Sequence, residues 1–91
     1  MIGKSYGYVI FDNGCCVIAS DKENVIAYIQ NRLLENSHRI AFVKSCIIDE
    51  GYPKANYSDD FMKNFIRDKL IQEPYYFDCY IYYTEAPFIE N

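Results

Sequence analysis

Four cysteines and one histidine are the residues of this 91-residue chain best suited to nucleophilic or metal chemistry, and their spacing works against both. Cys15 and Cys16 are adjacent. Neighbours on an extended strand project to opposite faces, so the pair cannot hold one metal ion from regular β geometry. No Cys-x-x-Cys occurs, and a tetrahedral zinc site would need Cys46 or Cys79 to converge on the pair through the fold, with His38 as the one imidazole. The thiols read instead as small hydrophobes on strands. A Cys–His nucleophile needs one thiolate activated by a nearby imidazole. Nothing in the spacing selects a thiol for that role, and His38 sits beside Arg39 at a junction between elements. Asp49, Glu50, Asp59 and Asp60 flank one loop and offer a paired-carboxylate site, yet Asp59 and Asp60 fit equally well in the first turn of a helix, where they complement the dipole. Gly3, Gly7, Gly14 and Gly51 form neither a G-x-G-x-x-G nor a P-loop, and Gly3 and Gly7 precede a strand where a phosphate cradle would need a helix. The expectation is a non-enzymatic chain with no cofactor and no metal.

The most unusual run is 75–83, Tyr-Tyr-Phe-Asp-Cys-Tyr-Ile-Tyr-Tyr. Read as a strand, alternation places Phe77, Cys79, Ile81 and Tyr83 on one face and Tyr76, Asp78, Tyr80 and Tyr82 on the other. The first set is the core face. The second is a tyrosine stripe with one carboxylate. Tyrosine offers a large, rigid contact area with a polar tip, which makes it a preferred interface residue. It also stacks on nucleic-acid bases, but base-stacking sheets bring basic residues for the phosphates, and this strand has none. Tyr52 and Tyr57, in the longest loop, are further interface candidates.

These side chains must be held by a small set of elements. Tyr6 to Asp12 and Cys15 to Ser20 read as strands around Asn13-Gly14, a strong signal for a two-residue hairpin, because a type I′ turn needs positive φ at both central positions. Such a turn pairs Asp12 with Cys15, Phe11 with Cys16, Ile10 with Val17, Val9 with Ile18 and Tyr8 with Ala19. One hairpin face is then Val9, Phe11, Cys16 and Ile18. The other is Tyr8, Ile10, Cys15, Val17 and Ala19. Both are apolar, so the hairpin is either covered on both sides or carries one sticky side. Ser20 to Glu23 reads as a capping box, followed by a helix to Asn36, a left-handed stop, with Val25, Ile26, Ile29, Leu33 and Leu34 as its buried stripe. Arg39 to Ile48 reads as a third strand. After a loop marked by Gly51 and Pro53, Ser58 caps a second helix whose stripe is Phe61, Met62, Phe65, Ile66 and Leu70 and which Pro74 stops. Tyr75 to Glu85 reads as the last strand, and Glu90-Asn91 is an acidic tail. The predicted fold is one α+β domain over 1–91, a two-layer sandwich in the order β-β-α-β-α-β: a four-stranded mixed sheet with two helices on one face. Strand–helix–strand connections in one sheet are taken as parallel and right-handed.

Composition bounds the function. Half the chain is apolar, ten Tyr and six Phe supply large buried areas, and the net charge of −4 argues against direct binding of nucleic-acid phosphates. No apolar run is long enough to span a membrane. No signal peptide is visible, so reduced thiols in the cytoplasm are the expectation, as is a complete gene product. Abundant Ile, Asn, Lys and Tyr suit an AT-rich genome, a low-GC bacterium or its phage. The leading functional expectation is a protein-binding or regulatory module, in a phage setting an inhibitor of a host or defence protein, acting through Tyr76, Asp78, Tyr80 and Tyr82 with Tyr52 and Tyr57. A homodimer is a close variant, since a two-sided apolar hairpin invites pairing. One alternative is an acidic mimic of nucleic acid built on Asp49, Glu50, Asp59, Asp60 and Asp78. Another is a nucleotide or small-molecule sensor in which Arg32, Arg39 or Arg67 holds an anion beside tyrosines.

Overall fold

The Asn13-Gly14 turn forms as its residues require. Asn13 and Gly14 take φ of 52° and 91°, the left-handed pair of a type I′ hairpin. It joins β1 (Lys4–Asp12) to β2 (Cys15–Ala19) in the register expected, from Asp12 opposite Cys15 to Tyr8 opposite Ala19. The structure, a computed structural model, describes residues 4–89, and side-chain environments for 7–86. The acidic tail at Glu90 and Asn91 lies outside the described residues.

From β2 the chain enters α1 (Lys22–Leu33), α2 (Ser37–Asp49) and α3 (Asp59–Gln72) before returning as β3 (Ile81–Ile89). β3 pairs antiparallel with β1 from Asp12 opposite Ile81 to Lys4 opposite Ile89, so β1 is the centre of a three-stranded antiparallel sheet in the order β2-β1-β3. This corrects the four-stranded mixed sheet with two helices: the described residues form three strands and three helices, and each strand pairing among them is antiparallel. β2 and β3, each antiparallel to β1, run parallel to one another on either side of it, and α1, α2 and α3 together form the one crossover that joins them among the described residues.

The expected third strand, Arg39 to Ile48, is α2. Its apolar residues satisfy two periods at once. Read at spacing four, Arg39, Val43 and Ile47 form one buried line, with Ile40, Phe42 and Cys46 half-buried beside it. Asn36 decides the matter. It is extended (φ −141°, ψ 164°) and its side-chain oxygen accepts the Arg39 backbone N–H at 3.0 Å, so it caps the start of α2 and is not a left-handed stop for α1. At the other end Gly51 takes φ of 106°. The Gly51 N–H donates to the Ile48 carbonyl at 2.9 Å and the Tyr52 N–H to Ile47 at 3.4 Å, a Schellman closure that only a left-handed residue permits. The cap of α1 lies one residue later than the capping box implies. Asp21 accepts the Asn24 N–H at 2.8 Å, and Glu23 turns away to an arginine. Ser58 caps α3 as expected, accepting from Phe61 at 3.1 Å.

α1 lies across all three strands, and α2 and α3 pack against α1 and each other. The α1 stripe of Val25, Ile26, Ile29 and Leu33 is fully enclosed, and Met62, Phe65, Ile66 and Leu70 of α3 meet it from outside. From the sheet, Ile10, Ile81 and Tyr83 point into this core. Burying each such side chain contributes about 1.5–3 kcal/mol. Tyr83 keeps its hydroxyl satisfied by donating to the Leu70 carbonyl at 3.0 Å, which ties β3 to α3.

Candidate protein-binding face

Every layer of helix lies on one side of the sheet. The other side carries Val9 and Phe11 of β1, Cys16 and Ile18 of β2, and Tyr82 and Thr84 of β3; Cys16 and Ile18 are exposed and the other four half-buried. Phe11 and Tyr82 are cross-strand partners and stack at 4.9 Å with planes 20° apart. Tyr75 lies on the far side of Tyr82 at 5.0 Å and 29°. The result is a three-ring ladder, Phe11–Tyr82–Tyr75, running from the central strand past the sheet edge. Ile18, paired with Val9 in the register, is 69% exposed. Next to the hairpin turn, Phe11, Cys16, Asp78, Cys79, Tyr80 and Tyr82 line a shallow groove of about 280 Å³.

The tyrosine stripe expected from alternation does not form, because β3 starts at Ile81. Residues 74–80 are a chain of tight turns. The Tyr76 N–H donates to Glu73, Asp78 to Tyr75, and both Tyr80 and Ile81 to Phe77, at 2.9 to 3.2 Å. Aromatic residues favour strands, but Pro74 breaks the chain out of α3 and Phe77 buries completely, and a succession of turns satisfies both. Of the four stripe residues, Asp78, Tyr80 and Tyr82 still meet around the groove. Tyr80 is half-buried, edge-on to Phe42 at 4.8 Å and beneath the Arg39 guanidinium at 5.3 Å.

Tyr76 faces the other way. Its hydroxyl donates to Glu50 at 2.8 Å, and its ring packs edge-to-face with Phe65 and Phe77. Burial and the adjacent Glu50 carboxylate push its phenol well above the ordinary range. Lys69 also donates to Glu50 at 2.8 Å, and with the Tyr76 bond it holds the Glu50 carboxyl below its usual range. Tyr52 and Tyr57 belong to a separate aromatic group on α3: Tyr57 stacks on Phe61 at 5.1 Å and donates its hydroxyl to the Pro53 carbonyl, while Tyr52 meets Phe61 edge-on.

The acidic candidates are dispersed. Asp59 and Asp60 occupy the first turn of α3, Asp49 ends α2, and Glu50 is engaged by Lys69 and Tyr76. The three arginines named for anion binding are each occupied. Arg67 grips Glu23 with two bonds of 2.8 and 2.7 Å. Arg32 and Arg39 converge on Asp12, at 2.6 and 3.0 Å from its two oxygens.

That last cluster was hidden from sequence reasoning. Asp12, at the tip of β1, is 4% exposed, and Arg39 7%. Arg32 also pairs with Glu35, Arg39 donates to the Arg32 carbonyl at 3.4 Å, and no buried side-chain polar atom among the described residues lacks a partner. Burial alone would push the Asp12 carboxyl up, but hydrogen bonds from Arg32 and Arg39, with their charges, outweigh it and hold the group below its ordinary range. The cluster joins the hairpin to α1 and α2. Its only signal in the sequence is an arginine at the head of a four-residue repeat that continues with two core residues, Val43 and Ile47.

The thiols do not gather into a site. Cys15, Cys16 and Cys79 are exposed, Cys46 is half-buried and pushed up by burial and by Asp49, and among the described residues no three His, Cys, Asp or Glu side chains are arranged to hold a metal ion. No described helix is long and apolar enough to cross a membrane. No protein-family model, curated protein or solved structure matches the chain.

Proposed function

We propose that the chain is a non-enzymatic protein-binding module that docks a partner on the open face of its sheet. The observation that carries this reading is the ring ladder Phe11–Tyr82–Tyr75 beside an isoleucine that is 69% exposed, on a sheet whose opposite face is packed under α1. Stacked aromatics with a polar rim are the composition of energetic centres in protein interfaces, and an apolar face left without a layer favours association. Asp78 and the Tyr80 and Tyr82 rings around the groove supply a polar margin that fixes orientation. A partner protein, or a second copy, would complete the missing layer. An inhibitor of a host or defence protein is the form of this activity that the small size and AT-rich composition favour.

The acidic-mimic reading has less support, since Glu50 is neutralised by Lys69. The sensor reading has less again, since Arg32, Arg39 and Arg67 are all paired with carboxylates.

The test compares wild type with Ile18→Asp and Tyr82→Ser. Both residues lie on the open face, so the fold should survive, as circular dichroism would check. Affinity capture from the source cells with mass spectrometry, together with sedimentation velocity, reads the outcome. A partner or self-association present in wild type and lost in both variants is expected. Identical captured proteins and identical sedimentation in all three chains would sink the proposal.

A further inference from the structure

A second groove, on the helical layer and away from the open sheet face, has a chemistry of its own. Tyr52, Phe61, Asn64, Phe65 and Asp68 line a recess of about 260 Å³. Its aromatic walls meet at right angles: Tyr52 stands at 84° to Phe61 with centroids 5.5 Å apart and at 86° to Phe65 at 6.5 Å. Tyr57 stacks on Phe61 and braces that wall. Tyr52 is 47% exposed and Phe61 36%, so the walls are open to solvent. The rim carries Asp68, a carboxylate with no ion pair among the described residues, and the amide of Asn64.

Orthogonal aromatic rings around a small recess, with a carboxylate at the lip, form an environment for a cation. Ring faces present negative quadrupole to a positive group, and a nearby carboxylate adds charge complementarity that an apolar side chain could not use. The same region already does this internally. The Lys69 ammonium sits 5.3 Å from the Tyr76 ring centroid and 5.7 Å from that of Phe65, whose ring also lines the recess. The net charge of −4 adds long-range attraction for a basic partner.

We infer that this recess is a binding site for a cationic side chain, a lysine or arginine, presented by a basic protein segment. The aliphatic stem of the side chain packs along Phe61 and Tyr52, and its charged head meets Asp68 and the Asn64 amide oxygen. The site is separate from the open sheet face, and either can hold without the other.

The experiment is an NMR titration of the isotope-labelled full chain with acetyl-Gly-Lys-Gly-amide. The control peptide carries norleucine in place of lysine, with a similar aliphatic stem and no charge. Expected are saturable, millimolar shifts at Tyr52, Phe61, Asn64 and Asp68 with the lysine peptide and none that saturate with norleucine. Asp68→Asn should weaken binding about threefold, the effect of one exposed charge pair. Tyr52→Ala should weaken it about fivefold, the effect of one exposed ring on a cation. Ile18→Asp should leave it unchanged, which separates this site from the sheet face. Equal binding of norleucine, no saturable shift, or full affinity in Asp68→Asn would overturn the assignment. So would tighter binding of tetramethylammonium than of the peptide, which would make the recess a small-molecule site. Shifts at the same residues on dilution without peptide would also overturn it, placing a second copy there.

Discussion

The two faces of the central strand are built from the same kinds of residue and meet opposite fates. Facing the helices, Ile10 is fully enclosed, Tyr83 lies beside it, and Asp12 is buried among arginines. Facing outward, Phe11 stacks on Tyr82 and Ile18 on the neighbouring strand stands in solvent. Hydrophobicity therefore does not distinguish the faces; what covers them does. The inner face is a stability element, and among the described residues no buried side-chain polar atom lacks a partner. The outer face keeps apolar and aromatic residues that the isolated fold does not use, and that surplus points to association.

The comparison can be tested by substitution, starting where the cost is greatest. Asp12→Ala strands the buried Arg39 charge, and we expect it to destabilise the fold by about 3–5 kcal/mol in urea denaturation. A loss near zero would mean that the cluster opens readily to water. Ile10→Ala should cost about 2–5 kcal/mol, whereas Ile18→Ala, two strand faces away in character, should stay within about 0.5 kcal/mol. If Ile18→Ala proved as costly as Ile10→Ala, the outer face would already be covered in solution, and the size of the species should show by what.

A pH series sharpens the inner half of the contrast. The folded Asp12 carboxyl sits below its ordinary value of 3.8, so the stability it contributes is complete above that value and is lost as pH falls through the lower folded one. Wild type should lose this contribution below about pH 4, and Asp12→Asn should show a shallower loss over that window. Equal slopes would remove Asp12 from the account. A smaller effect than those of the core substitutions concerns the cap of α2. Asn36→Ala should cost about 1 kcal/mol and Asn36→Gly only a few tenths; a change of zero for both would mean that α2 is held by packing alone.

Local features of the fold were legible in the sequence, and distant ones were not. The Asn13-Gly14 hairpin, its register, the α1 stripe and the Ser58 cap each depend on residues within one turn of one another, and each reads directly. The segment 39–48 satisfies both a two-residue and a four-residue period, and its helical face begins on Arg39, a charge that looks out of place in a core until Asp12, far back in the chain, is placed against it. The tyrosine run misled for a related reason. Its alternation fits a strand, but Phe77 is claimed by a core that other elements create, and the turns follow from that claim. At the candidate site, the apolar character of Phe11, Cys16 and Ile18 was visible as a possible sticky side. The partners Tyr75 and Tyr82 took their places only once β3 had docked against β1. Asp68 carried no signal at all, because its meaning depends on Tyr52 beyond the end of the preceding helix.

The pairing of β1 with β3 also sets an order of assembly. The central strand and its second neighbour are separated in the chain by β2 and all three helices. β3 is made after the hairpin and all three helices, so one edge of β1 stays unpaired until β3 has been synthesised and docks. Until β3 arrives, Ile10 lacks Tyr83 beside it and the Phe11 ring lacks the stack that becomes the outer ladder. Completion of the fold and creation of the docking face are then the same event, which means that an unfinished chain cannot present that face to a partner.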